Sequence, residues 1–217
     1  MKTFLSIGSG PGMGIATAER FAKEGFQVIL SARNTSKLDE LAAQLRAKGH
    51  NVDVRAVDTS KPESIAALVK GVEQQFGGID VAHYNAAAMR QSTLADQPVE
   101  TFNSDLAVNI GGALAATQAV ATGMERRGSG TILLTGGGFA LQPSPDFLSL
   151  SIGKAGIRAL AQGLFESFKD KGIHIATVTV AGFVNPGSGE ADAVGDHFWQ
   201  LHAQPLDTWT LEQVYTP

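Results

Sequence analysis

The chain has 217 residues, 43% hydrophobic and 18% charged, with a formal charge of −4 from 17 basic and 21 acidic side chains. That is enough apolar material for a packed core in one domain, and too much for a disordered chain. The lack of cysteine excludes disulfides, thiolate catalysis and Cys-ligated metals, and the densest basic spot, Arg126-Arg127, is too small to bind nucleic acid.

The opening, MKTFLSIGSGPG, reads as a strand over residues 3–8 cut by a Gly-rich turn, not as a targeting segment. No apolar stretch approaches the roughly 20 residues of a bilayer span, so a cytoplasmic protein without a membrane partner is expected. A helix over 13–23 follows, then a strand over 26–32 and a helix over 36–48 with apolar Leu38, Leu41, Ala42 and Leu45 on one side. The third strand is 51–58. Lys61-Pro62-Glu63 opens the next helix, with Ser60 as its expected cap. A strand at 79–86, a long helical region over 98–126, a strand at 130–136, a helix over 146–171 and a strand at 173–182 complete the series. Uninterrupted apolar strands separated by helices require crossover connections. The fold class is therefore α/β, a single doubly wound parallel sheet of Rossmann type with helices on both faces. Residues 1–182 form its core. Residues 183–217 form a looser tail on the substrate or subunit side, with a short helical candidate at 196–202.

GSGPGMG (8–14) sits between the first strand and the first helix. Glycine permits positive φ and a close approach of backbone to a diphosphate, and a helix N-terminus offers free N–H groups. Gly8, Ser9, Gly12, Met13 and Gly14 are thus candidates for binding a dinucleotide, although a tight structural turn would use the same glycines. An NAD site places a carboxylate at the end of the second strand. Here that end reads LSARN, without an acid, and Arg33 suits a 2′-phosphate, so NADP(H) is expected ahead of NAD(H).

From these residues the sequence resembles the short-chain dehydrogenase/reductase family over about residues 1–182. RAVDTS (55–60) is similar to the family's third-strand end, which implies Asp58 near the adenine. YNAAA (84–88) resembles the Asn-Asn-Ala-Gly stretch and implies that Asn85 and Ala86 bind coenzyme. LAVNIGG (106–112) resembles the helix of the catalytic asparagine, here Asn109. Lys154 matches the lysine of the Tyr-x-x-x-Lys motif, and VAGFVNPG (180–187) the loop after the sixth strand. The resemblance implies that Lys154 contacts the nicotinamide ribose and that Asn109 holds a water or backbone beside it. By themselves the two residues also read as a solvated helix lysine and a satisfied polar group.

The departures from the family fall on proton transfer. Leu150 stands at the tyrosine position, and the serine position falls in TGGGF, at Gly136 or Gly137. A general acid is worth about 10²–10⁴ in rate, and one oxyanion donor about 10²–10³. Ser149 and Ser151 flank the gap but point about 100° away on a helix, and Thr135 faces the other side of its strand if Gly136 holds the serine's place. Of the two tyrosines, Tyr84 reads as packing and Tyr215 lies near the C-terminus. The triple glycine 136–138 is either a flexible replacement for a lost loop or a device for close backbone approach. The tail carries His197, Phe198, Trp199, His202 and Trp209, with no credible metal set, so a replacement acid or packing are the open roles. Small residues in the two late helices point to a homodimer or homotetramer, as the resemblance implies. Two functions stay open. One is an atypical NADP(H)-dependent oxidoreductase of a small carbonyl or alcohol substrate, drawing its proton from water, a tail residue or the substrate. The other is a catalytically silent nucleotide sensor or partner subunit.

Overall fold

Thr3–Ile7, all buried, make strand β1 in a computed structural model that describes every residue from Met1 to Pro217. The other strands are β2 (Gln27–Ala32), β3 (Val52–Ala56), β4 (Val81–Tyr84), β5 (Gly130–Thr135), β6 (Ile173–Val180) and β7 (Glu212–Tyr215). They form one seven-stranded sheet in the order β3-β2-β1-β4-β5-β6-β7, and every pairing is parallel. The order reverses between β1 and β4. Their adjacent ends pair Ile7 with Tyr84 and leave the crevice in which doubly wound sheets take ligands.

Helices cover both faces. On one lie α1 (Met13–Lys23), α2 (Thr35–Ala47) and, from the C-terminal region, a helix Gly189–His202; on the other lie α3 (Pro62–Phe76) and two later helices. The later pair were expected as parts of one helix over 98–126 and another over 146–171. The first is interrupted: α4 (Val99–Leu106) passes through a wide π turn, Ala107–Gly111, into α5 (Gly112–Arg127). The second is α6 (Leu148–Lys169), so Gly189–His202 is α7. Alternation of strand side chains divides the core accordingly. Leu5, Ile7 and Ile132 face α3, α5 and α6. Phe4, Val28 and Leu133 face α1, α2 and α7.

Three expectations are corrected. The predicted cap Ser60 instead donates its hydroxyl to Asp58 at 2.7 Å; Lys61 precedes the helix, and Pro62 takes its first turn, where a missing N–H costs nothing. The stretch Val99–Arg127 has a mean hydropathy of 1.2 in its best 18-residue window, so one helix does reach membrane-spanning length and composition. Here it runs along the sheet, with Ala113, Ala116, Val120 and Met124 in the core. The region after Gly182 is also more ordered than its sequence suggests. Ser188 caps α7 by accepting from the Ala191 amide, α7 packs Val194, Phe198 and Leu201 into the core, and β7 extends the sheet beside β6. Phe198 is fully buried, with its ring 4.5 Å from His83. Phe198→Ala should therefore lower stability by about 3–5 kcal/mol in urea denaturation. An unchanged midpoint would mean that α7 is not part of the cooperative core.

Candidate functional site

At the end of β1 the chain turns through Gly8, at φ +83°, and Gly8 has little choice of side chain. A Cβ there would lie 2.5 Å from the Ala86 backbone just beyond β4, so the bare glycine lets the two strand ends converge. The Gly8 and Ser9 amides both donate to Ser31 O, at 2.9 and 2.8 Å, which ties the glycine turn to β2. Ser9 Oγ is spent inside this turn, 2.8 Å from Ser6 Oγ and accepting from the Ser31 amide at 3.1 Å. Asn85 closes the other side. Its amide donates to Ile7 O at 2.8 Å, and its Nδ2 donates to Gly8 O at 3.0 Å.

A polar chain runs on from Asn85 beneath the crevice. Thr135 Oγ1, at the end of β5, donates to Asn85 Oδ1 at 3.0 Å. Having given its proton there, it accepts from His83 Nε2 at 2.9 Å, which leaves His83 Nδ1 buried without a partner. Burial, with a smaller push from the nearby Lys154 ammonium, holds His83 down to about 3. The carbonyl of the same threonine accepts from Lys154 Nζ at 2.6 Å. Lys154 is only 7% exposed, and burial pushes its ammonium down to about 8.

Above this chain opens a cleft of about 820 Å³. Gly8, Ser9, Met13, Arg33, Asn85, Ala86 and Lys154 all line it. Arg33 is exposed at its β2 end and has no ion-pair partner. The remaining candidates stand back from it. Gly12 caps α1, and Gly14 is buried where a Cβ would press on Asn85 Nδ2 at 3.0 Å. Asp58 is held below the usual carboxylate range, first by the Ser60 hydroxyl, and its Oδ1 accepts from the Ser60 N–H and hydroxyl; its neighbours Val57 and Thr59 line the cleft instead. Asn109 lies in the π turn, 1% exposed and away from the cleft wall. Its amide accepts from the Ala88 N–H at 2.7 Å and donates to the Ala88 carbonyl at 3.1 Å, so it pins the loop after β4. Such π turns often mark sites where a helix must present a side chain out of register.

Leu150 lies one turn before Lys154 on α6, 4% exposed, and lines the cleft. The glycine run resolves toward close packing. A Cβ at Gly136 would press on the Thr177 and Thr179 hydroxyls at 2.7 and 2.8 Å, and one at Gly138 on Ala181 at 3.0 Å. Position 137 differs: a Cβ there would sit 3.3 Å from Lys154 Cγ, looking along the lysine stem. Neither tyrosine lines the cleft. Tyr84 donates its hydroxyl to Val108 O at 2.6 Å, and burial raises its pKa further. The tail histidines and tryptophans are also elsewhere. His197 pairs with Gln213, His202 with Thr131, Trp199 packs on Phe21, and Trp209 stacks on His174. A replacement acid from the tail is thereby ruled out for this arrangement. What the tail does supply is Phe183, 71% exposed at the cleft mouth with Met89, Leu141 and Val214.

A family model described as short chain dehydrogenase matches residues 2–192. A Staphylococcus saprophyticus protein described as an uncharacterized oxidoreductase is 28% identical over 192 residues, 88% of this chain and 82% of that one. A Staphylococcus aureus protein with the same description is 31% identical over 180 residues, covering 82% and 76%. Among solved structures, a short-chain dehydrogenase from Rhodopseudomonas palustris superposes with a TM-score of 0.89 at 25% identity, covering 99% of this chain and 98% of that one. A metagenomic short-chain oxidoreductase solved in complex with NADP gives 0.91 at 24% identity, covering 100% and 97%.

The buried imidazoles make stability depend on pH. His83 sits at about 3 and His202 at about 4 in the folded chain, against 6.5 for a free imidazole. Above pH 6.5 neither state binds these protons; below it only the unfolded chain does, until the folded values are reached. Stability should therefore fall from about pH 6.5 toward 4, at roughly 1 kcal/mol per pH unit for each histidine. In urea midpoints measured across that range, His83→Gln should show a shallower slope, and an equal slope would contradict the neutral His83.

Proposed function

The chain belongs to the short-chain dehydrogenase family, and on that premise we propose that its cleft binds NADP(H) and serves hydride transfer with a carbonyl or alcohol substrate, by an atypical proton step. The observation that carries this reading is the convergence of Gly8, Asn85, Arg33 and Lys154 on one cleft at the switch point of the sheet. The residues fit the coenzyme. Gly8 lets the β1 and β4 ends converge at the crevice, and α1 begins at Met13 after the glycine turn, where its N-terminus suits a diphosphate. Arg33, without a carboxylate partner and with no acid at the end of β2, suits a ribose 2′-phosphate. Lys154 suits the nicotinamide ribose hydroxyls. The superposed metagenomic enzyme, which holds NADP, supports the same choice.

Bound coenzyme supplies or takes the hydride. The protein's own residues position it and exclude water, and at two family positions they offer no hydroxyl. Leu150 replaces the proton-donating phenol, and Gly137, facing the Lys154 stem, replaces the oxyanion-binding serine. Each loss removes orders of magnitude, though the two do not multiply cleanly. Asn109 fixes Ala88 and the loop that closes one side of the cleft.

NADPH should quench or shift protein fluorescence saturably and bind more tightly than NADH. Arg33→Ala should erase about tenfold of that preference. Absence of a saturable signal with either coenzyme would remove the reading. Simple ketones should be reduced slowly, and Leu150→Tyr with Gly137→Ser should raise the rate at least tenfold. Fast wild-type turnover of simple ketones would contradict the missing-hydroxyl account. Saturable NADPH binding without any turnover would instead favour a nucleotide-binding sensor or partner subunit.

A further inference from the structure

We infer that Lys154 is itself the proton donor to the substrate oxygen in this cleft, an assignment that rests on the NADP(H) reading above. Only two side chains on the cleft wall carry an ionisable proton, Arg33 and Lys154; no Asp, Glu, His, Tyr or Cys lines it. Arg33 stands just past the β2 end, and a guanidinium does not serve as a proton donor. Lys154 stands at the other end, beside the end of β5 and one turn after Leu150.

Lys154 is on the cleft wall, and its stem packs against the glycine run. A Cβ at residue 137 would lie 3.3 Å from Lys154 Cγ and 3.5 Å from Cδ and Cε, so the lysine stem runs against bare backbone. Nζ uses one N–H on Thr135 O, and no carboxylate or second acceptor takes the other two. Two charged groups on the surrounding elements are paired away from it. Asp105 of α4 holds Arg90, Gln97 and Ser149, while Arg158 of α6 holds Glu212 of β7. His83 of β4, across Thr135, is neutral. The lowering of Lys154 to about 8 follows from burial and brings the donor close to working pH, where general acids act best.

The step balances. As a hydride from the reduced dinucleotide reaches the carbonyl carbon, the π pair moves to oxygen, one Lys154 N–H bond breaks and an O–H bond forms. The products are the alcohol, the oxidised dinucleotide and a neutral amine, which regains a proton from water. The rim of Met89, Leu141, Phe183 and Val214 selects an apolar ketone, so benzil is a suitable probe.

Benzil reduction by NADPH should fall as pH rises through about 8, because the protonated amine is the active form. Lys154→Arg keeps a cation for the ribose but gives up no proton. It should lose about 100-fold or more in kcat, together with the pH inflection, while NADPH affinity changes by less than about tenfold. Adding Leu150→Tyr to that variant should restore turnover. Independently of activity, ¹⁵N NMR of lysine-labelled protein without coenzyme should show a resonance titrating near 8 that disappears in Lys154→Arg. Wild-type turnover that does not vary between about pH 7 and 9, equal kcat in Lys154→Arg, or a Lys154 midpoint above about 10 would each overturn the assignment. So would a protein that binds NADPH and never reduces benzil, which leaves the coenzyme reading standing. Failure to bind NADPH overturns both.

Discussion

The contact on which the site depends is the near collision of Gly8 with Ala86. A parallel doubly wound sheet must reverse its order somewhere, and here β1 and β4 meet at that reversal. Only a residue without Cβ, held at positive φ, lets the backbone leave β1 while β4 leaves beside it. Asn85 and the Ser31 carbonyl then fasten the glycine turn to the strands on either side. Any side chain at Gly8 would both strain the turn and separate the walls of the cleft.

A second layer hangs from the same crevice. Thr135 joins β4 and β5 through its hydroxyl, and through its carbonyl it fixes the one cleft residue with a proton to give near neutral pH. The cost is a buried histidine that must stay neutral and a buried ammonium whose charge is disfavoured. Both are typical of ionisable groups at functional sites, where burial tunes titration toward a task. Glycines 136 and 138 let the β5 end approach β6, and Gly137 lets the Lys154 stem lie against backbone.

Much of this was legible in the chain. Apolar runs of strand length between helical periods gave the sheet, and the glycine turn after β1, the acid-free end of β2 and the Lys154 context led to Gly8, Ser9, Met13, Arg33 and Lys154 on one cleft, while Gly12 and Gly14 stand back from it. What sequence could not show came from tertiary packing. The π turn that turns Asn109 toward Ala88 leaves no mark on apolar periodicity. β7 carries Glu212 and Gln213 in four residues, an edge strand without the usual apolar signal. Thr135 looked like a residue on the wrong face, and its role emerges only once His83, Asn85 and Lys154 are placed around it. The tail histidines looked available as acids because their partners, Gln213 and Thr131, are distant in sequence.

The most direct test is a crystal structure of the protein with NADPH and an apolar ketone bound. The account predicts the diphosphate over the Gly8–Gly14 turn, the 2′-phosphate on Arg33, and Lys154 as the only protein donor within about 3 Å of the substrate oxygen. A coenzyme bound outside this crevice, or a hydroxyl or imidazole from elsewhere occupying the space beside Leu150, would contradict it.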